Sequence, residues 1–308
     1  MDGIIIINKE KEFTSNDVVQ IVKHTLNEKV GHTGTLDPNA TGVLPILIGK
    51  GTKISKYLIN HDKIYEAVLQ LGMKTETGDG EGSILEKIEV SNDTMEEENV
   101  NKVLLSFIGK QSQTPPMYSA IKINGKKLYD YAREGKKVEI PIRNIEIYNM
   151  NLIEISLIEK RIKFRVECSK GTYIRTLCED IAERLGTIGF MKELNRIQVG
   201  EFNIAQSVKI NELKENKNNM EYLRNHIISI EKLFEGKEIV KLQEKELEKF
   251  LNGVKIDIDK KDGIYKIYDD KEKFIGIGVE KNKKMKRDVI LWDTIYPRKS
   301  WLTRILKI

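Results

Sequence analysis

Asp37 is the residue of this chain best placed by its neighbours to do chemistry. It lies in Gly31-His32-Thr33-Gly34-Thr35-Leu36-Asp37-Pro38-Asn39-Ala40-Thr41-Gly42, where three Gly, three Thr, one Pro, one His and one carboxylate share twelve residues. Gly and Pro interrupt regular backbone, so the stretch is an irregular loop. Asp has few rotatable bonds, and a stiff loop can hold its carboxylate in one pose. Two readings stand: an acid aimed at a ligand, where an ionised and oriented carboxylate can act as a nucleophile, or an Asp-Pro turn closing a surface loop. The density of special residues on both sides of Asp37 makes the first worth pursuing.

Four further segments stand out downstream: Lys63-Ile64-Tyr65-Glu66, Thr75-Glu76-Thr77-Gly78-Asp79-Gly80-Glu81-Gly82, Gln113-Thr114-Pro115-Pro116-Met117-Tyr118-Ser119-Ala120-Ile121-Lys122 and Ser169-Lys170-Gly171-Thr172-Tyr173-Ile174-Arg175. In this order, residues 31–42 and these four segments resemble the tRNA pseudouridine synthases of the bacterial TruB type. That family's loop reads G-H-T-G-x-L-D-P-x-A-x-G. The resemblance covers roughly residues 3–210 and continues more weakly from about 240 to 291. Two segments depart from the family pattern. Asn8-Lys9-Glu10 stands where D-K-P is usual, and Leu194-Asn195-Arg196 stands where L-R-R is usual, which bears on how many phosphates that segment contacts.

The resemblance implies an isomerase that converts uridine to pseudouridine at position 55 of the T-stem-loop of tRNA. The reaction moves the ring from N1 to C5, adds and loses nothing, and needs no cofactor. Asp37 would be the nucleophile. Arg175 would hold the carboxylate charged and oriented. Tyr65 would stack on the detached uracil; an unaided phenol has a pKa of about 10, so action as a base needs help from its surroundings. Tyr173 would form the other wall and Leu194 an apolar contact. His32 would fill the space left by a base flipped out of the RNA, a step that costs a few kcal/mol. Each has a plainer reading: a surface ion pair for Arg175, a half-buried strand aromatic for Tyr65, a hydrogen bond within the loop for His32, and core for Leu194. A chain that only binds or folds tRNA, or a guide-RNA-dependent synthase of the same superfamily, are the competing functions.

Charge adds a partner class. The net charge of +5 is modest. However, residues 122–143 hold Lys122, Lys126, Lys127, Arg133, Lys136, Lys137 and Arg143, and residues 281–287 hold Lys281, Lys283, Lys284, Lys286 and Arg287. Such clusters suit phosphate backbones, and Lys126 and Lys127 are the expected RNA-binding residues. Solvated Lys-rich faces are the plainer alternative. The two cysteines, Cys168 and Cys178, and the four histidines show no metal-ligand spacing, so no metal is expected. No targeting or membrane segment is visible, and a cytoplasmic monomer acting on the T-arm of tRNA without an obligate protein partner is expected.

These groups must be carried by a scaffold. The pattern predicts strands at Ile4–Ile7, Tyr65–Gly72, 145–157 and 162–168, and helices at 18–27, 94–109 and after Thr172, the last closed by Gly186. Asn211–Asn219 reads as a linker or surface loop. The helix Glu244–Leu251 and the strands near Ile264–Ile267 and Phe274–Val279 resemble a small PUA RNA-binding domain. The expected fold is α+β: a pseudouridine-synthase catalytic domain over 1–230, with a central mixed, mainly antiparallel sheet flanked by helices and an RNA-binding insertion at 113–143. A PUA-like β-barrel domain is expected over 231–308.

Overall fold

The structure, a computed structural model, describes residues 1–291. Residues 292–308 of the expected C-terminal domain lie outside the described residues. The chain divides into two compact units. One comprises Ile5–Leu47 and Ser55–His226; the other comprises Met1–Ile4, Ile48–Ile54 and the chain from Ile227 onward.

The first unit is built on one sheet. Its strands run in the spatial order Gly3–Lys9, Thr41–Ile48, Gly189–Val199, Lys63–Leu71, Arg161–Cys168, Arg143–Ser156, Gly109–Gln113. Thr41–Ile48 pairs parallel with Gly189–Val199. From there to Gly109–Gln113 every pairing is antiparallel. This is the mixed, mainly antiparallel sheet expected from the sequence. Ile4 to Ile7 are all buried, as a strand covered on both faces requires.

Helices complete the unit. Ser15–Leu26 begins at Thr14, whose hydroxyl accepts the Asp17 N–H while the Asp17 carboxylate accepts the Thr14 N–H. This reciprocal cap satisfies donors that the helix start leaves open. Val18, Val19 and Val22 are its buried face. Helix Ile174–Arg184 buries Leu177, Cys178, Ile181 and Ala182 and presents its first turn to the Asp37 loop.

Three segments differ from expectation. The single helix expected over 94–109 is a 3-10 turn, Asp93–Met95, followed by helix Glu97–Leu105. Glu96 has an extended ψ of 134°, which breaks the helix beside the buried Met95. The expected linker at 211–219 contains helix Ile210–Glu215, because Ile210 and Leu213 bury together one turn apart. The central strand Gly189–Val199 has no period-two apolar pattern in its sequence. Its register shifts between Met191 and Glu193 and again between Arg196 and Gln198, and each shift changes which side chains face which side.

Gly42 marks where the Asp37 loop enters the sheet. Its φ is +102°, and a Cβ there would lie 2.2 Å from the Arg196 carbonyl oxygen. Only Gly tolerates both.

The second unit carries a five-stranded sheet in the order Ile239–Lys241, Gly263–Tyr268, Phe274–Lys281, Lys284–Ile290, Ile256–Asp257. Helix Glu244–Leu251 packs Leu247, Phe250 and Leu251 against Ile267, Ile275 and Met285. This half-barrel is consistent with the PUA-like domain implied by the resemblance. No helix among the described residues is long and apolar enough to cross a membrane.

Glu280 is an anomaly within that unit. It is 1% exposed, and neither carboxylate oxygen has a hydrogen-bond partner in good geometry. Burial pushes its pKa up, Asp262 and then Asp257 add to the rise, and the Lys284 backbone N–H offsets part of it. A carboxyl whose folded pKa is raised contributes stability below its unfolded pKa and loses it as pH rises through the folded pKa. Glu280→Gln is therefore expected to raise the thermal midpoint at about pH 8 and leave it little changed at about pH 4. Melting curves at the two pH values test this, and equal midpoints at the higher pH would contradict it.

Candidate active site

Arg175 stands in the first turn of helix Ile174–Arg184 and is 6% exposed. Its Nε lies 3.3 Å from Asp37 Oδ2, and its Nη1 lies 3.5 Å from Asp79 Oδ2. Nη1 also donates to the Thr77 carbonyl at 3.1 Å and Nη2 to the Tyr118 carbonyl at 2.7 Å. One planar cation thus joins the Asp37 loop, the hairpin of residues 75–82 and the root of the 113–143 insertion. Asp79 is fixed on its other side, where Oδ1 accepts from Thr77 Oγ1 at 2.5 Å and from the Glu81 N–H at 3.0 Å.

The Asp37 side chain is 40% exposed, so a ligand can reach it. Even so, the surrounding protein pushes its pKa up. Arg175 opposes that rise, Asp79 adds to it, and Lys9 opposes it. The ion pair therefore offsets part of the rise that burial imposes on this carboxylate.

Asp37 opens onto a cleft of about 700 Å³ whose walls include Tyr65, Tyr173, Arg175, Leu194 and Arg196. That volume suits a nucleotide-sized ligand. Tyr65 lies opposite Arg196 across the antiparallel pair of strands. It is 8% exposed, and burial raises its phenol pKa, with Arg196 opposing. Tyr173 caps its helix and is held through the backbone, because the Gln113 amide donates to its carbonyl at 3.0 Å and accepts its N–H at 2.8 Å.

The structure therefore brings Asp37, Tyr65, Arg175, Tyr173 and Leu194 to one cleft. His32 is not among that cleft's wall residues. It is half-buried on the approach to the loop, and its Nδ1 accepts the Gly34 N–H at 3.3 Å. Burial, and then Arg196, lower its pKa, so the ring is neutral near pH 7. Lys126 and Lys127 sit apart from the cleft wall on a hairpin in the insertion. Lys126 pairs with Glu134 and lies 4.9 Å from the Tyr131 ring centre. Lys127 donates to the Tyr129 hydroxyl at 2.9 Å, and Arg133 lies 5.4 Å from the Tyr129 ring.

Three residues with no expected part in the site belong to it. Asp79 lies in a segment singled out only for its resemblance, yet its carboxylate shares Arg175. Lys9 is fully buried, and its ammonium spends its three protons on the Glu10, Phe13 and Pro38 carbonyls at 3.0, 2.7 and 2.8 Å. It fastens the chain directly after Asp37, and burial brings its pKa down to about 8. Arg196 is 2% exposed, donating from Nε to the Val43 carbonyl at 2.8 Å and from Nη2 to the Gly34 carbonyl at 3.1 Å. It is committed to the protein interior, whereas its segment pointed to phosphates. The only signal for Lys9 and Arg196 was a cation beside a motif, which does not tell a surface lysine or arginine from a buried one. Among the described residues no cluster of three metal-ligating side chains occurs.

Comparison with known proteins follows the same lines. Residues 22–174 match the model of the TruB family pseudouridylate synthase N-terminal domain. Residues 175–235 match the tRNA pseudouridylate synthase B C-terminal domain, and 239–283 match the pseudouridine synthase II TruB C-terminal domain. The chain is 44% identical to the tRNA pseudouridine synthase B of Clostridium kluyveri over 293 residues, covering 93% of this chain and 98% of that protein. It is also 44% identical to the same-named protein of Francisella tularensis subsp. tularensis, covering 90% of each. Among solved structures, a Cbf5-Nop10-Gar1 complex aligns with a TM-score of 0.66 and 25% identity over 93% of this chain and 86% of that one. An archaeal box H/ACA sRNP Nop10-Cbf5 complex, at a TM-score of 0.67 and 23% identity over 97% and 89%, shares the fold.

The charge pattern makes a direct prediction. Arg175→Met removes the cation that holds the Asp37 pKa down, so the Asp37 carboxyl is expected to titrate at higher pH than in the unaltered protein. Carbon-detected NMR of labelled aspartate measures this. A titration at unchanged or lower pH would refute the assignment.

Proposed function

Because the chain belongs to the TruB family of pseudouridine synthases and isomerises uridine to pseudouridine in tRNA, we propose that its target is uridine 55 of the T-stem-loop and that Asp37 is the nucleophile. The observation that carries this reading is one reachable carboxylate, Asp37, paired with a buried arginine at the edge of a nucleotide-sized cleft. An ionised carboxylate is nucleophilic and a protonated one is not. Arg175 supplies a positive charge beside it, through Nε, that favours the ionised form and aims it.

The other residues follow from their positions. Tyr65 and Tyr173 stack on and enclose the uracil, and Leu194 supplies an apolar contact. The target must leave its helix to reach Asp37, at a cost of a few kcal/mol. The neutral His32 ring next to the loop takes up the vacated stacking position and offsets part of that cost. Lys126 and Lys127 belong to the insertion that grips the RNA backbone, where shape and not duplex base edges carries recognition. On this reading the catalytic domain runs over 1–230 with its insertion at 113–143, and a PUA-like RNA-binding domain follows from 231. The protein works in the cytoplasm as a monomer and needs no guide RNA, because the insertion itself supplies a basic surface.

Two experiments test these statements. Asp37→Asn is expected to lower the single-turnover rate of pseudouridine formation on a purified tRNA transcript by at least about 10³-fold while leaving the tRNA Kd within about two-fold. A parallel loss of binding would move Asp37 from chemistry to scaffold, and a transcript that is modified only when a guide RNA is added would sink the unguided reading. Replacing Lys126, Lys127, Lys136 and Lys137 with Gln is expected to weaken tRNA binding and flatten its salt dependence, by about 0.7 in the log–log slope for each phosphate that is no longer neutralised. An unchanged slope would remove the insertion from the RNA interface.

A further inference from the structure

Lys63 is a buried cation with too few partners. It is 8% exposed and begins the strand that carries Tyr65. Its ammonium donates to the His61 carbonyl two positions back. Among the described residues no other acceptor takes its protons and it forms no ion pair. Lys9, buried as deeply, has a carbonyl for each of its three protons. Asp62, next to Lys63 in the chain, accepts from the Tyr148 hydroxyl at 3.4 Å. An ammonium taken out of water with protons unmatched is costly, and a ligand acceptor would remove that cost.

The surroundings of Lys63 say what that ligand is. Lys63 and Tyr65 stand two apart on one strand, so they share a face, and both belong to the wall of the Asp37 cleft. That wall holds five cations, Lys63, Arg143, Lys170, Arg175 and Arg196, against a single carboxylate, Asp37. Arg175 already takes Asp37 and Asp79, and Arg196 donates to two carbonyls of the protein. Lys63, Lys170 and Arg143 are left. Lys170 is exposed and donates to the Asn60 side-chain oxygen at 2.7 Å. Arg143 is exposed, and its Nη1 lies 4.0 Å from the place a Cβ on Gly171 would take. Among the described residues neither forms an ion pair. Gly171, Thr172 and Tyr173 continue the wall to helix Ile174–Arg184, which starts with no side-chain cap and no acid in its first turn. Its positive end adds to the same field. Burial lowers the Lys63 pKa, and Arg196 and Lys170 lower it further against Cys168 and Asp62, so an anion arriving here relieves a crowd of like charges.

We propose that Lys63, with Lys170 and Arg143 beside it, binds a backbone phosphate that flanks the flipped uridine. This rests on the reading of the cleft as the uridine site. Such a phosphate is joined to the sugar whose C1′ must come up to Asp37, so holding it from Lys63 limits the poses of that sugar. Lys63 stands inside the cleft, and the contact forms only once the nucleotide has left its helix. It therefore favours the flipped state over the stacked one and offsets part of the cost of flipping. The lysines of the insertion act differently, since exposed cations meet the RNA backbone whether or not the base is out. A buried pair is also screened less by salt than theirs.

The test is a cycle between the lysine and the phosphate. tRNA is assembled with a neutral methylphosphonate in place of the phosphate on the 5′ side of the target uridine, or of the one on its 3′ side, and its Kd is measured for the unaltered protein and for Lys63→Met. One of the two replacements is expected to weaken binding to the unaltered protein at least about five-fold and to change binding to Lys63→Met by less than about two-fold. On tRNA with all its phosphates, Lys63→Met is expected to bind more weakly by a similar factor, with a log–log salt slope flatter by about 0.7, and Lys63→Arg to keep most of the sensitivity to the neutral linkage. Losses that multiply at both positions would overturn the proposal, as would unchanged binding of both neutral RNAs by the unaltered protein. Lys170 is exposed, so Lys170→Gln carries the same cycle should Lys63→Met fail to fold. The loss at the sensitive phosphate is then expected to shrink, and an undiminished loss would overturn the proposal. Failure of the uridine reading is distinct, since the unaltered protein would then form no pseudouridine in tRNA with all its phosphates.

Discussion

The contact of Arg175 with two carboxylates governs the rest of the catalytic unit. Asp37 and Asp79 are brought toward one another on segments with no other reason to meet. Without a cation between them, their like charges would repel. With Arg175 in place, both are held, and so are the backbone at Thr77 and at Tyr118. The same guanidinium that orients the acid thereby fixes two loops around the cleft. Removing a carboxylate from this set costs more than the pair contributes when intact, because the guanidinium left behind is buried.

Two other buried cations are arranged on a different plan. Lys9 and Arg196 are hydrogen-bonded to carbonyls and not to carboxylates. They brace the Asp37 loop without forming contact ion pairs with the acid they support. Asp37 therefore remains reachable and only partly compensated. Together with the exposed lysines of the insertion, this leaves the surroundings of the cleft with an excess of positive charge, as suits a protein whose ligand is a polyanion.

Much of this was legible in the residues. The Gly-rich loop pointed to Asp37, because Gly turns are local and depend on few neighbours. The run of four isoleucines marked the first strand. The strand Gly189–Val199 was not legible, because two register shifts in it destroy the alternation by which strands are recognised. The small helix at Ile210–Glu215 hid in a polar stretch, since only two of its residues face the core. Within the site, the residues that touch the ligand space were easier to find than those behind them. Lys9 and Arg196 sit in ordinary charged sequence, and their burial is decided by strands far away in the chain.

The position of that irregular strand has a consequence for how the protein is made. In the sheet, Gly189–Val199 lies between Thr41–Ile48 on one side and Lys63–Leu71 on the other. It is synthesised well after both, so during elongation the early strands cannot close on each other. They form two partial sheets with open edges, one beside the loop of the acid and one carrying Tyr65. Unpaired edges of this kind are prone to join other chains. The arriving strand seals both at once, and Arg196 on it bonds the Gly34 carbonyl 162 positions upstream. A chain that ends short of this strand therefore lacks the partner of both halves of the cleft at once, and leaves two strand edges open.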